Sequence, residues 1–334
     1  MGKEGVRLMM KVRMLLLIDI LHELSDEEHI LNSKTLLAEL NDRGVVSDRR
    51  SVYRDIEALT EYGFDIVTTA KGFYLRNRRF TLAEIMLLIS AVQAAPFVTE
   101  LKTKALMNKL LGFLSEYQQE GLKNATNISG VKFLNEEVYR TIEMINYGIA
   151  SGRRISFLYY KRSIMRRDIV QRRGRRYVVS PYAMVWVQDR YYLISNMKDK
   201  EGLTHFRLDR IRDVRIEEAP VRPVSEVSEY TDRFDAVDYA SKCLNMFGGE
   251  ITRITLRCHM ELLNEFFDRF GEDIPVKKDG EDHFIARIEV AASKGFINWV
   301  CQFGDMAEVL EPAGLRQRVA NYLKAAADLY SDQI

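Results

Sequence analysis

Cysteine is scarce in this chain, with only Cys243, Cys258 and Cys301 among 334 residues. So few, odd in number and widely scattered, they exclude a disulfide framework and zinc pairs, and a reducing cytoplasmic setting is the expectation. Long apolar runs are also missing. Asp19 interrupts Met14 to Leu21, and the run from Ile85 to Val98 is short and holds Gln93 and Pro96, so no membrane span is expected. The five histidines, His22, His29, His205, His259 and His283, show no metal-ligand spacing. Neither glycine-rich phosphate loops nor a nucleophile elbow nor a zinc-protease helix occurs. Cys258 and His259 are adjacent, but neighbours in a strand point to opposite faces. Nothing recommends catalysis, a metal or a cofactor, and the chain is read as a non-enzyme.

What is present is the composition of an ordinary folded protein. The length suits two to three domains and the hydrophobic content is 47%. The net charge of +1 hides an uneven distribution. Residues 1–80 balance to zero and residues 81–149 to −1, whereas residues 150–220 carry +9 and residues 221–334 carry −7. The third segment is therefore a candidate site for an anionic ligand, and the fourth cannot be a general nucleic-acid surface.

Ser47 to Phe64 predicts a helix of about four turns, with Ser47 as N-cap, Asp48 in the first turn and Gly63 closing the end. Val52, Ile56 and Leu59 make a narrow apolar stripe. Arg50 and Arg54 fall opposite it, flanked by Ser51 and Tyr53, with Arg49 nearer the packed side. Upstream, Ser33 to Arg43 is a second short helix with Leu36, Leu37 and Leu40 inward, followed by Gly44 and a Val45-Val46 turn. Helix, short glycine-containing turn, helix is the helix-turn-helix pattern. Asp65 to Leu75 reads as a hairpin with Lys71 at its tip, in the position of a wing. Lys11 to Leu24 is a first helix packed through Val12, Leu16, Ile20 and Leu24, while Lys34 and Arg76 to Arg79 read as phosphate clamps or solvated charges.

On these residues, Val46 through Ile56 with Leu59 and Gly63-Phe64, the segment resembles the recognition helix of bacterial DeoR-like winged-helix repressors, especially those that carry a WYL domain. On the exposed face of that helix Arg50 and Arg54, flanked by Ser51 and Tyr53, are the expected base readers, Arg49 is a phosphate contact, and Lys71 at the hairpin tip is a further DNA contact.

Thr81 to Tyr117 holds two apolar helical patterns broken near Pro96, the first through Leu82, Ile85, Met86, Ile89 and Val92, the second through Leu106, Leu110, Phe113 and Leu114. They suggest a dimerisation linker. Gln118 to Gly130 reads as a loop, and Asn135 to Ile149 as a helix closed by Ser151-Gly152.

From Arg153 to Ile216 short strands recur at Arg154–Tyr160, Arg176–Val179, Tyr182–Gln188, Tyr191–Asn196, Thr204–Leu208 and Val214–Ile216, which argues for a small barrel. Ile155-Ser156-Phe157 with Tyr159, Ser180-Pro181, Tyr191 to Ile194, and His205 to Ile211 resemble the WYL domain, an Sm-like SH3-type barrel. The Trp of the family's triplet is Tyr191 here. Strand alternation turns Phe206 and Leu208 to the core and His205 and Arg207 away from it. Ser156, Tyr159, Tyr192, His205, Arg207 and Arg210 are then the candidate ligand residues, guanidinium forks suiting phosphates and aromatic faces suiting bases. The resemblance implies a nucleotide or single-stranded nucleic acid as effector; the plain alternative is that the arginines pair with Asp209, Asp213 and Glu217.

Ala219 to Gly249 begins as a linker. Beyond it, strand, helix, two strands, helix, strand is the ferredoxin-like split order, closed by a helix over Ala313–Tyr330. Trp299 to Gly304 and Val309 to Pro312 resemble the WCX-type extension that follows WYL domains.

The expected molecule is an α+β multidomain protein: a winged helix-turn-helix over 1–80, a helical linker over 81–150, the WYL barrel over 151–220, and a linker plus ferredoxin-like domain over 221–334. It implies a ligand-responsive regulator, a repressor, binding palindromic double-stranded operator DNA as a homodimer. The alternatives are a protein whose basic barrel is the main RNA or single-stranded DNA site, and a dimeric scaffold that binds nothing.

Overall fold

The computed structural model describes residues 3–122, 132, 137–162, 169–171, 175–231 and 233–331. The chain forms two compact units, Met1–Leu134 and Asn135–Ile334. Among the described residues no helix is long and apolar enough to cross a membrane.

The first unit opens with helices α1 (Lys3–Leu24), α2 (Ser33–Asp42) and α3 (Arg49–Tyr62), then strands β1 (Ile66–Thr69) and β2 (Gly72–Leu75). Leu36 and Leu40 of α2 and Val52, Ile56 and Leu59 of α3 are buried as the sequence pattern requires. For α1 the buried face is Leu17, Ile20 and Leu21, while Val12 and Leu15 are exposed. The expected line through 12, 16, 20 and 24 steps by four residues and so drifts around the helix, whereas positions i, i+3 and i+4 stay on one face. The cap of α3 also differs from expectation. Asp48, not Ser47, accepts the Ser51 N–H at 3.0 Å and the Ser51 hydroxyl at 2.7 Å. Gly63 closes the helix at φ 119°, as expected.

The hairpin turns through Ala70 and Lys71, with Thr69 opposite Gly72. Leu31 adds a third short rung to it, exchanging both backbone hydrogen bonds with Phe73. A Cβ at residue 72 would lie 2.1 Å from the Leu31 carbonyl oxygen, so only glycine lets the hairpin dock there. Arg78 donates to the carbonyls of His22 and Ser25 at the end of α1, and Arg76 pairs with Asp65 through two bonds of 2.9 and 3.0 Å. Arg78 is thereby structural, which corrects the clamp-or-solvated reading for it, whereas Arg76 stays exposed in a surface pair.

Helices α4 (Leu82–Ala94), α5 (Glu100–Leu111) and α6 (Glu116–Leu122) follow. Thr81 and Glu84 form a reciprocal capping box on α4. Ile85, Ile89, Met107, Leu114 and Leu122 make a small separate core, leaving Leu82, Met86 and Leu87 exposed. Gln118 to Leu122 is helix rather than loop; the rest of the expected loop lies outside the described residues.

The second unit begins with α7 (Val138–Ala150) and strands β3 (Arg153–Arg162), β4 (Ile169–Gln171), β5 (Tyr177–Val187), β6 (Arg190–Met197), β7 (Thr204–Arg207) and β8 (Ile211–Pro220). The sheet order is β4-β3-β5-β6-β7, with β8 also paired to β3. Where two strands were expected across Pro181, β5 runs through with a bulge at Pro181–Ala183. Phe157, Tyr159, Tyr177 and Phe206 fill the core as a knot of edge-to-face and stacked rings.

The remaining elements are α8 (Ala236–Lys242), β9 (Ile251–His259), α9 (Leu263–Phe270), β10 (Val276–Asp279), β11 (His283–Ala291), α10 (Lys294–Cys301), β12 (Ala307–Glu311) and α11 (Ala313–Ser331). Their sheet has the antiparallel order β10-β11-β9-β12. The segment before it is more structured than a linker. Tyr239, Cys243 and Met246 are buried in one cluster with Ile194 of β6 and Ala291 of β11.

Candidate ligand and nucleic-acid sites

At the edge of the first sheet of the second unit, Tyr192 of β6 lies directly opposite Arg207 of β7. The backbone N–H of Arg207 donates to the Tyr159 hydroxyl at 3.3 Å. After Arg207 the chain makes a single 3-10 turn, Leu208–Arg210, because Leu208 and Ile211 both turn into the core. That turn carries Asp209 back beside Arg207, and the guanidinium grips the carboxylate through Nε–Oδ1 at 2.9 Å and Nη2–Oδ2 at 2.8 Å. Arg210 lies near the Tyr159 hydroxyl and favours its ionised form.

The electrostatics follow from burial and pairing. Burial pushes the Tyr159 phenol above its ordinary value, opposed by the Arg207 N–H and by Arg210. Burial likewise raises Tyr192. For Arg207, burial works against the charge and the Asp209 pair more than offsets it. Tyr159, Tyr192, Arg207 and Arg210 thus form a group of neutral phenols beside two cations, one already paired. Such a group donates hydrogen bonds, and half-buried Tyr192 offers a ring face, whereas the Tyr159 ring is taken up in the core and presents only its hydroxyl end.

Two sequence-predicted residues stand apart from this group. Ser156 is on the opposite face of β3 from Phe157 and Tyr159. Its buried hydroxyl accepts from Arg176 Nε at 3.2 Å, and Arg176 is held in turn by Asp213. His205 shares the face of Arg207 but points toward the segment before β9. Its Nδ1 bonds the Met246 carbonyl at 2.7 Å and its Nε2 meets the Tyr239 hydroxyl at 3.0 Å. Nδ1 is therefore the protonated nitrogen, and burial lowers the imidazole pKa below 6.5, the Met246 bond opposing it.

In the first unit Arg49, Arg50 and Arg54 are all exposed, so Arg49 does not lie on the packed side. Its Nη2 donates to the Tyr53 hydroxyl at 3.2 Å, and its guanidinium lies 5.3 Å from the centre of that ring. Tyr53 meets Phe73 of the hairpin edge-on at 5.0 Å. Ser51 is committed to the Asp48 cap, and Lys71 is exposed in the turn. Asp55, which sequence reasoning passed over, is buried and paired to Arg13 of α1.

Residues 140–216 match the model of the WYL domain and residues 250–327 that of the WCX domain. The chain carries a WYL domain followed by a WCX domain. No curated protein matches it. Among solved structures it is similar to proteasome accessory factor B/C (PafBC) of Arthrobacter aurescens, at 18% identity and TM-score 0.28, over 96% of this chain and 49% of that one. It is also similar to a CRISPR Cas-related protein, at 16% identity and TM-score 0.37, over 75% of this chain and 73% of that one. The chain thus spans about half the length of PafBC. The edge described above, Tyr159 to Arg210, lies inside the WYL match. Of the acids named as the arginines' alternative partners, Asp209 holds Arg207 and Asp213 holds Arg176 and Arg215; the Arg176–Ser156 and Tyr239–His205 contacts are ones the sequence did not assign.

Proposed function

We propose that the protein is a ligand-responsive transcription regulator. In this reading residues 1–80 are a winged helix-turn-helix of DeoR-like type, and 81–150 are a dimerisation region. Helix α3 enters the major groove of palindromic operator DNA, and the homodimer supplies two copies of it. The effector, a nucleotide or single-stranded nucleic acid, binds at Tyr159, Tyr192, Arg207 and Arg210 of the WYL domain, and the regulation is repression.

The observation that carries the reading is the exposure of Arg50 and Arg54 on the side of α3 away from buried Val52, Ile56 and Leu59. A helix anchored by its back with long cations on its front has the form that reads base edges. One such helix covers too few base pairs alone, which is why a dimer and an inverted repeat are part of the proposal.

The test is selection of bound duplexes from a random pool by the full chain, followed by titration at fixed salt. Enrichment of an inverted repeat is the expected result. Failure to prefer any duplex, together with single-stranded RNA or DNA binding that Arg210→Ala removes, would overturn it in favour of the WYL domain as the main nucleic-acid site.

A further inference from the structure

On the WYL domain, a cavity of about 380 Å³ is lined by Arg154, Val178, Val179, Ser180, Asn196, Lys198, Arg222 and Glu226. The volume lies within the range of roughly 300–1,000 Å³ typical of small-molecule sites. Three cations face one anion here. Arg222 is paired to Glu226 at 2.9 Å, and its backbone N–H is fixed by the Ser180 hydroxyl at 2.9 Å. Arg154 and Lys198 have no ion-pair partner among the described residues. The cavity therefore keeps two uncompensated positive charges, and the Nε of Arg154 is buried without an acceptor.

Asn196 supplies the second, independent sign. It is 1% exposed, and its Nδ2 donates to the carbonyls of Lys200 at 3.0 Å and Gly202 at 2.7 Å. Two carbonyl acceptors fix which end of the amide is nitrogen. Its Oδ1 is then oriented without ambiguity, and it is buried with no donor. A buried acceptor left so costs the desolvation of that group, and the group that satisfies it must be a donor.

We propose that this cavity is a second ligand site, taking a small phosphate monoester whose O–H or N–H groups reach Asn196 Oδ1 while its phosphate meets Arg154, Lys198 and Arg222. It is separate from the Tyr159–Arg210 edge. Asn196 is four residues along β6 from Tyr192, roughly 13 Å at the rise of a strand. Ile194, between them, is sealed by Tyr239, Cys243 and Met246. Phosphate suits the site because guanidinium forks supply parallel donors to its oxygens. The hydroxyl-bearing part is what distinguishes the ligand from a bare anion.

The experiment is calorimetric titration of the full chain with D-ribose 5-phosphate and with inorganic phosphate. It compares wild type, Arg154→Gln, Lys198→Gln and Arg210→Gln. Ribose 5-phosphate binds about tenfold tighter than phosphate, as one further hydrogen bond to a buried acceptor requires. Arg154→Gln weakens it by about 10- to 100-fold, Lys198→Gln weakens it in the same direction, and the binding event that these two variants weaken persists in Arg210→Gln, whatever that variant does to a second event at the effector site. Lys198 is exposed, so its variant separates loss of binding from loss of fold. Three outcomes overturn the proposal. These are no binding at about 1 mM, equal affinity for the two probes, or a single binding event lost in Arg210→Gln and untouched by the other two variants. The last would leave the effector site of the preceding proposal standing.

Discussion

Arg13 of α1 and Asp55 of α3 are joined by an Nε–Oδ2 bond of 2.5 Å, with 13% and 8% of their side chains exposed. The pair locks the cationic front of α3 to the first helix from behind. Removing one partner strands the other charge away from water, so Asp55→Ala is expected to cost about 3–5 kcal/mol. Replacing both, as Arg13→Met with Asp55→Leu, should restore most of it. Urea unfolding followed by circular dichroism checks this, and a change within about 0.5 kcal/mol for Asp55→Ala would show the pair to be incidental.

Arg50→Ala and Arg54→Ala should each weaken binding to the selected operator by about 1–3 kcal/mol, with little change in thermal stability, since both side chains are exposed. Gel-shift titration at fixed salt reads the effect. Wild-type affinity from both variants would remove α3 from the interface.

Arg207 and Arg210 are expected to separate in their consequences. Asp209 is 11% exposed at the side chain and is held by Arg207 through two hydrogen bonds, so Arg207→Ala, which strands that carboxylate, should lower stability by about 3–5 kcal/mol as well as ligand binding. Arg210→Ala should leave the melting temperature nearly unchanged and still abolish the response to effector. Scanning calorimetry beside effector titration distinguishes the two. An Arg207→Ala protein that melts with wild type would contradict the pairing.

His205 gives a pH dependence. Its pKa is lowered in the folded chain by burial, so as pH falls through 6.5 the unfolded chain takes up a proton that the folded one refuses. Stability is fully present above pH 6.5 and declines below it, until the folded-state pKa is reached. In His205→Gln this segment of the pH–stability curve should flatten. A curve of unchanged slope between pH 6.5 and 5 would assign the decline to other groups.

Helix periodicity and caps made the first unit legible: Val52, Ile56, Leu59 and Gly63 do in the structure what their spacing predicts. The errors arose where two local solutions compete. Ser47 and Asp48 are both good caps, and the chain uses the one whose carboxylate can take both the N–H and the hydroxyl of Ser51. In the WYL edge, strand alternation put Arg207 on the correct side, and the same alternation within β3 sets Ser156, three residues from Tyr159, on the opposite face, so the grouping of those two ran against a pattern the sequence already carries. Tyr239 was invisible for a different reason. Its segment is polar, proline-bearing and short of regular periodicity, and its few apolar side chains are recognisable only once Ile194 and Ala291 are seen against them.

That packing makes the stretch before β9 a keystone rather than a leash. Tyr239, Cys243 and Met246 are buried against Ile194 of one sheet and Ala291 of the other, so one small core is shared by both. The WYL and WCX domains should then melt as one cooperative block with a single heat-capacity peak. A fragment ending at residue 220 would lose the cover from Ile194 and the acceptor from His205, and self-associate through the surface so bared.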